Sequence, residues 1–167
     1  MNLRHKFKVF DMNVPAELYP YIDELERLKT KISFTNGCFD LVHIGHLDFL
    51  RRSRQPFSHL IVGLNSDKSI IRLKGPKRPI MNENERIEFL RLTGLVDAVV
   101  LFHGESQLET MVRIIRPNFF CKDSSYKRKQ VTGRAVCTGQ GGRMLYIRRT
   151  NISTTNIIER VIQKELG

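Results

Sequence analysis

Thr35-Asn36-Gly37-Cys38-Phe39-Asp40-Leu41-Val42-His43-Ile44-Gly45-His46 follows a short β-prone run, Lys31-Ile-Ser-Phe-Thr35, and leads into a helical stretch from about Ile44 to Arg54. The pattern reads as strand, turn, helix. His43 and His46 stand three residues apart where the helix begins, a spacing that projects both imidazoles from one face. The same helix start offers unpaired backbone N–H groups, which attract anions. Gly37 and Gly45 leave room for a phosphate to approach the backbone. A single histidine at a helix start is usually a cap or a solvated side chain. Two of them in this frame point to phosphate chemistry.

Outward from this stretch, strands and helices alternate. His59–Leu64, Ala98–Phe102, Asn118–Cys121 and Met144–Ile147 read as further strands. Ile87, Leu90 and Leu92 mark one helix, and Leu108, Met111, Val112 and Ile115 give the apolar face of another. A last helix is expected from Thr154 to Leu166. Ahead of the first strand, Leu18, Ile22, Leu25 and Leu28 follow helical spacing after Pro15, whose fixed φ suits a first turn. The expectation is an α/β, Rossmann-like doubly wound parallel sheet, with residues 1–30 as an N-terminal helical extension packed on a single domain over 31–167. Ligands in such sheets bind at the carboxyl ends of strands, near the point where strand order reverses. The segment Asn65–Glu85 is the longest predicted structureless connection and is expected to be a functional loop.

Composition narrows the classes. The chain has 167 residues, 41% of them hydrophobic, enough for one buried core. No apolar run approaches the about 18 residues of a membrane span, and the first residues lack the apolar stretch of a secretory signal. A cytoplasmic location is expected. Cys38, Cys121 and Cys137 are odd in number and lack Cys-x-x-Cys spacing, which argues against a disulfide framework and a structural zinc site. The net charge of +11, from 28 Lys plus Arg against 17 Asp plus Glu, favours anionic partners. It is densest over Arg72–Arg78 and Lys122–Arg134, both in predicted loops. Trp is absent and aromatics are only 8%, so base-stacking nucleic-acid recognition is disfavoured. The Walker phosphate loop has no match, and Gly139-Gln-Gly-Gly142 does not open a helix after a strand, so a hairpin or turn is expected there.

Attack on the α-phosphate of a nucleoside triphosphate builds charge on the phosphoryl and leaving oxygens. Imidazole N–H donors, lysine or arginine and a metal-bound triphosphate stabilise that charge. A phosphate nucleophile is already ionised at neutral pH, so no general base is required.

Gly37-Cys-Phe-Asp-Leu-Val-His-Ile-Gly-His46 resembles the His-x-Gly-His signature of the cytidylyltransferase-like nucleotidyltransferase superfamily. A second match, Ser153-Thr-Thr-Asn-Ile-Ile158, stands where that superfamily has its Ser-Thr-Thr phosphate-binding turn; independently, Ser153 is a good N-cap and its hydroxyl and the helix N–H groups would form an anion site. Asn65-Ser-Asp67, Arg72-Leu-Lys-Gly75, Arg78-Pro79 and Glu85-Arg86 resemble the adenylyltransferase domains of ADP-heptose synthases. The resemblance covers nearly the whole chain. It implies transfer of AMP from ATP to a sugar 1-phosphate with release of pyrophosphate.

By this resemblance, His43, His46 and Lys74 are catalytic. Thr35, Asn36, Gly37, Cys38, Phe39, Gly45, Arg86, Lys122, Ser153, Thr154 and Thr155 would bind the nucleotide, while Asp67, Arg78 and Tyr126 would face the acceptor. Magnesium is expected to arrive with the triphosphate, because the sequence offers no cluster for a protein-only metal site. A homodimer is an assembly many enzymes of the superfamily form. The chain departs from the pattern at Cys121-Lys-Asp-Ser-Ser-Tyr126, where the resembled branch has Val-Lys-Gly-Gly-Asp-Tyr. Asp123 and Ser125 therefore alter the expected acceptor side. Arg148 falls in register with the arginine of glycerol-3-phosphate cytidylyltransferases, which supports a second reading as a cytidylyltransferase acting on an alditol or lipid-head phosphate. A third reading, from charge alone, is a basic nucleic-acid-binding module, whose binding would fall steeply with salt.

Overall fold

The strand predicted at Lys31–Thr35 runs to Gly37 in the computed structural model, which describes residues 7–148 and 161–164. In chain order the elements are β1 (Lys8–Asp11), a 3-10 turn (Pro15–Glu17), α1 (Leu18–Arg27), β2 (Lys31–Gly37), α2 (Ile44–Ser53), β3 (Ser58–Asn65), α3 (Asp67–Lys74) and α4 (Glu83–Leu92). Then follow β4 (Ala98–Phe102), α5 (Glu105–Ile115), β5 (Phe119–Asp123), a 3-10 turn (Ser124–Tyr126), α6 (Arg134–Gly139) and β6 (Arg143–Ile147). The described strands form one sheet in the order β1-β4-β3-β2-β5-β6, with every pairing parallel. The chain lays β3 and β4 on one side of β2, then crosses to β5 and β6 on the other. The reversal point therefore lies between the ends of β2 and β5, where a crevice opens in such sheets.

Each face of the sheet is covered, as parallel strands require. On one face α1 and α5 bury Leu18, Ile22, Leu25, Met111, Val112 and Ile115 against Phe34, Ile61, Val100 and Phe120. On the other, Leu50 of α2 and Leu90 of α4 meet Leu60, Val62, Leu64, Val99 and Leu101. All residues of β3 are buried. Full burial of β3 on both faces explains its near-continuous apolar centre.

Several expectations are corrected. The N-terminal residues are more than a helical extension, because β1 pairs with β4 from Lys8↔Ala98 to Asp11↔Leu101 and so belongs to the sheet. The connection after β3 is not structureless. Ser66 caps α3 by accepting from the Ser69 N–H at 3.2 Å, and Asn82 caps α4 in a reciprocal box with Glu85. α6, inside the run expected to be loop or turn, closes on Gln140 and Gly141 (φ +85°) before β6, so the turn expected at Gly139–Gly142 forms at a helix end. The closing helix is described only at residues 161–164, which are helical.

Candidate active site

At the end of β2 the chain turns sharply through Phe39, a buried non-glycine residue with φ +45°. Gly37 makes this turn possible, since a Cβ there would press on the Phe39 ring at 3.2 Å. The Phe39 ring lies against His46, their centroids 5.6 Å apart. His43 is the N-cap of α2, and its Nδ1 accepts from the Gly45 N–H at 3.1 Å. His46 Nδ1 accepts in return from the His43 N–H at 3.4 Å, and the two rings lie 4.0 Å apart. Because a backbone N–H occupies each Nδ1, the neutral rings carry their protons on Nε2. His46 lines the cavity beside the N-terminus of α2, where a ring N–H can meet a phosphoryl oxygen.

A cavity of about 630 Å³ opens at the carboxyl ends of the strands. Its wall brings together Thr35, Asn36, Gly37, Cys38, Phe39, His46, Lys74, Lys122 and Tyr126 from the expected set. His43 lies behind His46, outside the wall, and Gly45 is buried in the first turn of α2. Ser153, Thr154 and Thr155 lie outside the described residues. The cavity reaches from His46 and Phe49 on the α2 face, over the sheet's edge, to Phe102, Leu108 and Val131 on the α5 face.

Thr35 is buried, and its Oγ1 has no hydrogen-bond partner within the described protein. A buried unpaired hydroxyl in a cavity wall is fitted to a ligand or water. Lys122 is 9% exposed, donates from Nζ to Asn36 Oδ1 at 2.6 Å, and lies over the rings of Phe120 and Tyr126 at 5.4 and 5.3 Å. Burial disfavours its charged form and lowers its pKa to about 8. It bridges β5 and β2 at the reversal point, where no acidic side chain pairs with it among the described ion pairs.

Three residues expected to contact substrate, Arg86, Asp67 and Arg78, lie outside the cavity wall and are engaged within the protein. Arg86 is fully buried outside the cavity wall. Its NH1 donates to the carbonyls of Cys38 (2.6 Å) and Asn65 (2.8 Å), its Nε to Met81 (3.1 Å), and its NH2 to Asp67 Oδ1 (2.7 Å). Each guanidinium nitrogen thus donates within the protein. Asp67 is held by Arg86 and also accepts from the Glu83 N–H at 3.1 Å, which fixes it between α3 and α4. Arg78 pairs with Asp40 through Nε at 3.0 Å. Asp40, in the cavity wall, accepts from the N–H groups of Ile80 and Met81 at 2.8 and 3.1 Å. These contacts pin the loop ahead of α4 to the signature turn.

Sequence reading missed Arg72, which lines the cavity and donates to the His103 carbonyl. Its signal was present, since it shares the Arg72-Leu-Lys74 run with the expected Lys74. The loop of Phe102, Gly104 and Glu105 also enters the wall, with no motif to announce it. Among the described residues no group of three or more His, Cys, Asp or Glu side chains is arranged to hold a metal, and no helix is long and apolar enough to cross a membrane.

Comparison with known proteins agrees with this geometry. The chain is 42% identical over 143 residues to the "Bifunctional protein HldE" of Syntrophotalea carbinolica, covering 84% of this chain and 29% of that protein. It is 41% identical to the protein of the same name from Pelobacter propionicus over the same shares. The chain thus spans under a third of these relatives' length. The lipopolysaccharide core biosynthesis protein from Thermoplasma volcanium shares the fold, with a TM-score of 0.56 and 24% identity over 74% of this chain and 98% of that one. The cytidylyltransferase-like family profile matches residues 34–160, which include the signature turn, the cavity's Lys122 and the Ser-Thr-Thr segment. With that match over most of its length, the chain belongs to the cytidylyltransferase-like family of nucleotidyltransferases.

Proposed function

We propose that the chain is an adenylyltransferase that moves AMP from ATP onto a sugar 1-phosphate of the heptose kind, releasing pyrophosphate. The observation that carries this reading is the continuous cavity joining His46 to Lys122 and Tyr126 across the reversal point, with room for a nucleotide and an acceptor end to end. The HldE proteins, at 40 to 42% identity, support the sugar-phosphate class over the cytidylyltransferase alternative.

In this reaction an acceptor phosphate oxygen forms a bond to the α-phosphorus, and the bond to the pyrophosphate oxygen breaks. His46 Nε2–H donates to the oxygens that gain charge, and His43 holds its neighbour's ring and proton in place. Lys74 and Arg72, from the last turn of α3, supply positive charge at the cavity. Lys122 supplies a cation between the two substrate ends while its ammonium remains charged. Magnesium would come on the triphosphate and neutralise its charge there.

The test is pyrophosphate release with ATP, magnesium and D-glycero-β-D-manno-heptose 1-phosphate, beside CTP with glycerol 3-phosphate. Turnover of the first pair is expected. Turnover of the second with none of the first would replace this reading with the cytidylyltransferase.

A further inference from the structure

The exit of β4 is held from three directions at one residue, His103. Its ring Nε2 lies between Asp11 Oδ1 at 2.9 Å and the side-chain amide of Asn13 at 2.8 Å. Its N–H donates to Gln107 Oε1 at 2.8 Å, and its carbonyl accepts from the Arg72 guanidinium. Asp11 Oδ1 also accepts from the Asn13 N–H at 2.7 Å, so the turn after β1 is folded around the same carboxylate. Asp11 and Asn13 lie outside residues 34–160, the span matched by the family. His103 itself is not in the cavity wall, but its neighbours Phe102, Gly104 and Glu105 are, as is Arg72.

We propose that His103 is a positioning residue, and that the N-terminal turn Asp11–Asn13 acts through it to set the α5-face half of the substrate cavity. The argument rests on the reading of this cavity as the substrate site. The half in question is separated by the sheet's edge from His46 and the start of α2, where the triphosphate is handled. It is the end left for the acceptor. His103 and Gly104 form the two-residue link between β4 and α5, and at Gly104 an added Cβ would meet nothing within 4 Å. The contacts of His103 are therefore what holds this link between its two anchored ends. Releasing the ring loosens the link between β4 and α5 beside the wall residues Gly104 and Glu105. Small misplacements of a binding wall cost large factors in productive complex.

The experiment compares wild type with His103→Ala, the double variant Asp11→Ala/Asn13→Ala, and Asp11→Asn, which keeps a hydrogen-bond acceptor. The expected result is a KM for the acceptor raised roughly tenfold in the first two, with kcat and the KM for ATP within about twofold of wild type. Asp11→Asn should recover most of the loss. Amide hydrogen exchange across 103–107 should quicken in the same two variants and in no segment of α2. An unchanged acceptor KM with unchanged exchange would overturn the proposal. So would a rise in both KM values together with faster exchange throughout, the signature of general destabilisation. If wild type itself turns over no nucleotide and acceptor pair, the functional reading fails, while hydrogen exchange still decides whether Asp11 and Asn13 govern the loop.

Discussion

His46 carries the sharpest expectation at the scale of single residues. It lines the cavity, and its Nδ1 is occupied by a backbone donor, which leaves Nε2 to carry the proton of the neutral ring. His46→Ala should lower kcat by about 10²–10³, the usual cost of removing one preorganised donor, with little change in nucleotide KM; a loss under fivefold in steady-state pyrophosphate release would remove it from the chemistry. Lys122 predicts a pH profile. Its ammonium is charged below its folded-state pKa of about 8 and neutral above it, so kcat/KM should fall as pH rises through that value, and Lys122→Arg should move the descending limb upward because a guanidinium stays charged. The same shift has the opposite sign for stability. Between about 8 and the ordinary lysine value of 10.5 the unfolded chain binds the extra proton, so this group's contribution to stability rises with pH over that window. The placing of His43 and His46 at a helix start and of Lys122 at the end of a strand was legible from spacing and register. The burial of Lys122 was not, because its partner Asn36 comes from β2, which only the fold brings beside β5.

At the scale of elements, the start of α4 and the end of β3 are joined by Arg86, which turns three backbone carbonyls from separate segments toward one guanidinium. Arg86→Ala would leave those carbonyls and the Asp67 carboxylate with a lost partner, and should cost about 3–5 kcal/mol in denaturant unfolding. A loss below about 1 kcal/mol would contradict the clamp. Gly142 supports a different junction. A Cβ there would collide with the Pro117 carbonyl oxygen and meet Cys137 Sγ at 2.6 Å, so Gly142→Ala should destabilise by about 1–3 kcal/mol, read as a fall in Tm. Neither role was legible. An arginine held mainly by backbone carbonyls, with a single carboxylate 19 residues away, leaves no local pattern to find, and a glycine needed for close approach, with no positive φ, looks like any other in a turn. β1 and α6 were missed for a related reason: four and six residues are too few for periodicity to declare itself. β2, α2, β3 and α5 were legible because each has a long apolar pattern matched to a buried face.

For the molecule as a whole, the excess of positive charge has a kinetic consequence. A net charge of +11 should raise the encounter rate with anionic substrates, so kcat/KM is expected to fall as sodium chloride is raised from about 0.05 to 0.3 M, with kcat little changed. Invariance of kcat/KM over that range would show that the charge does not steer substrate. The parallel α/β architecture was legible at this scale from the alternation of elements, whereas the strand order was not, because β1 joins the far side of the sheet beside β4. That placement also bears on strand addition at this edge of the sheet. β4 is Ala98-Val-Val-Leu-Phe102, buried along its whole length, and β1 occupies the hydrogen-bonding edge that β3 leaves open. Stripped of residues 1–13, the chain would present an apolar, flat and unpaired edge, the template on which strands of neighbouring molecules add. Such a shortened chain should form concentration-dependent aggregates in light scattering while the intact one does not. The four residues of β1 thus cover the edge of β4 that strands of other molecules would otherwise meet.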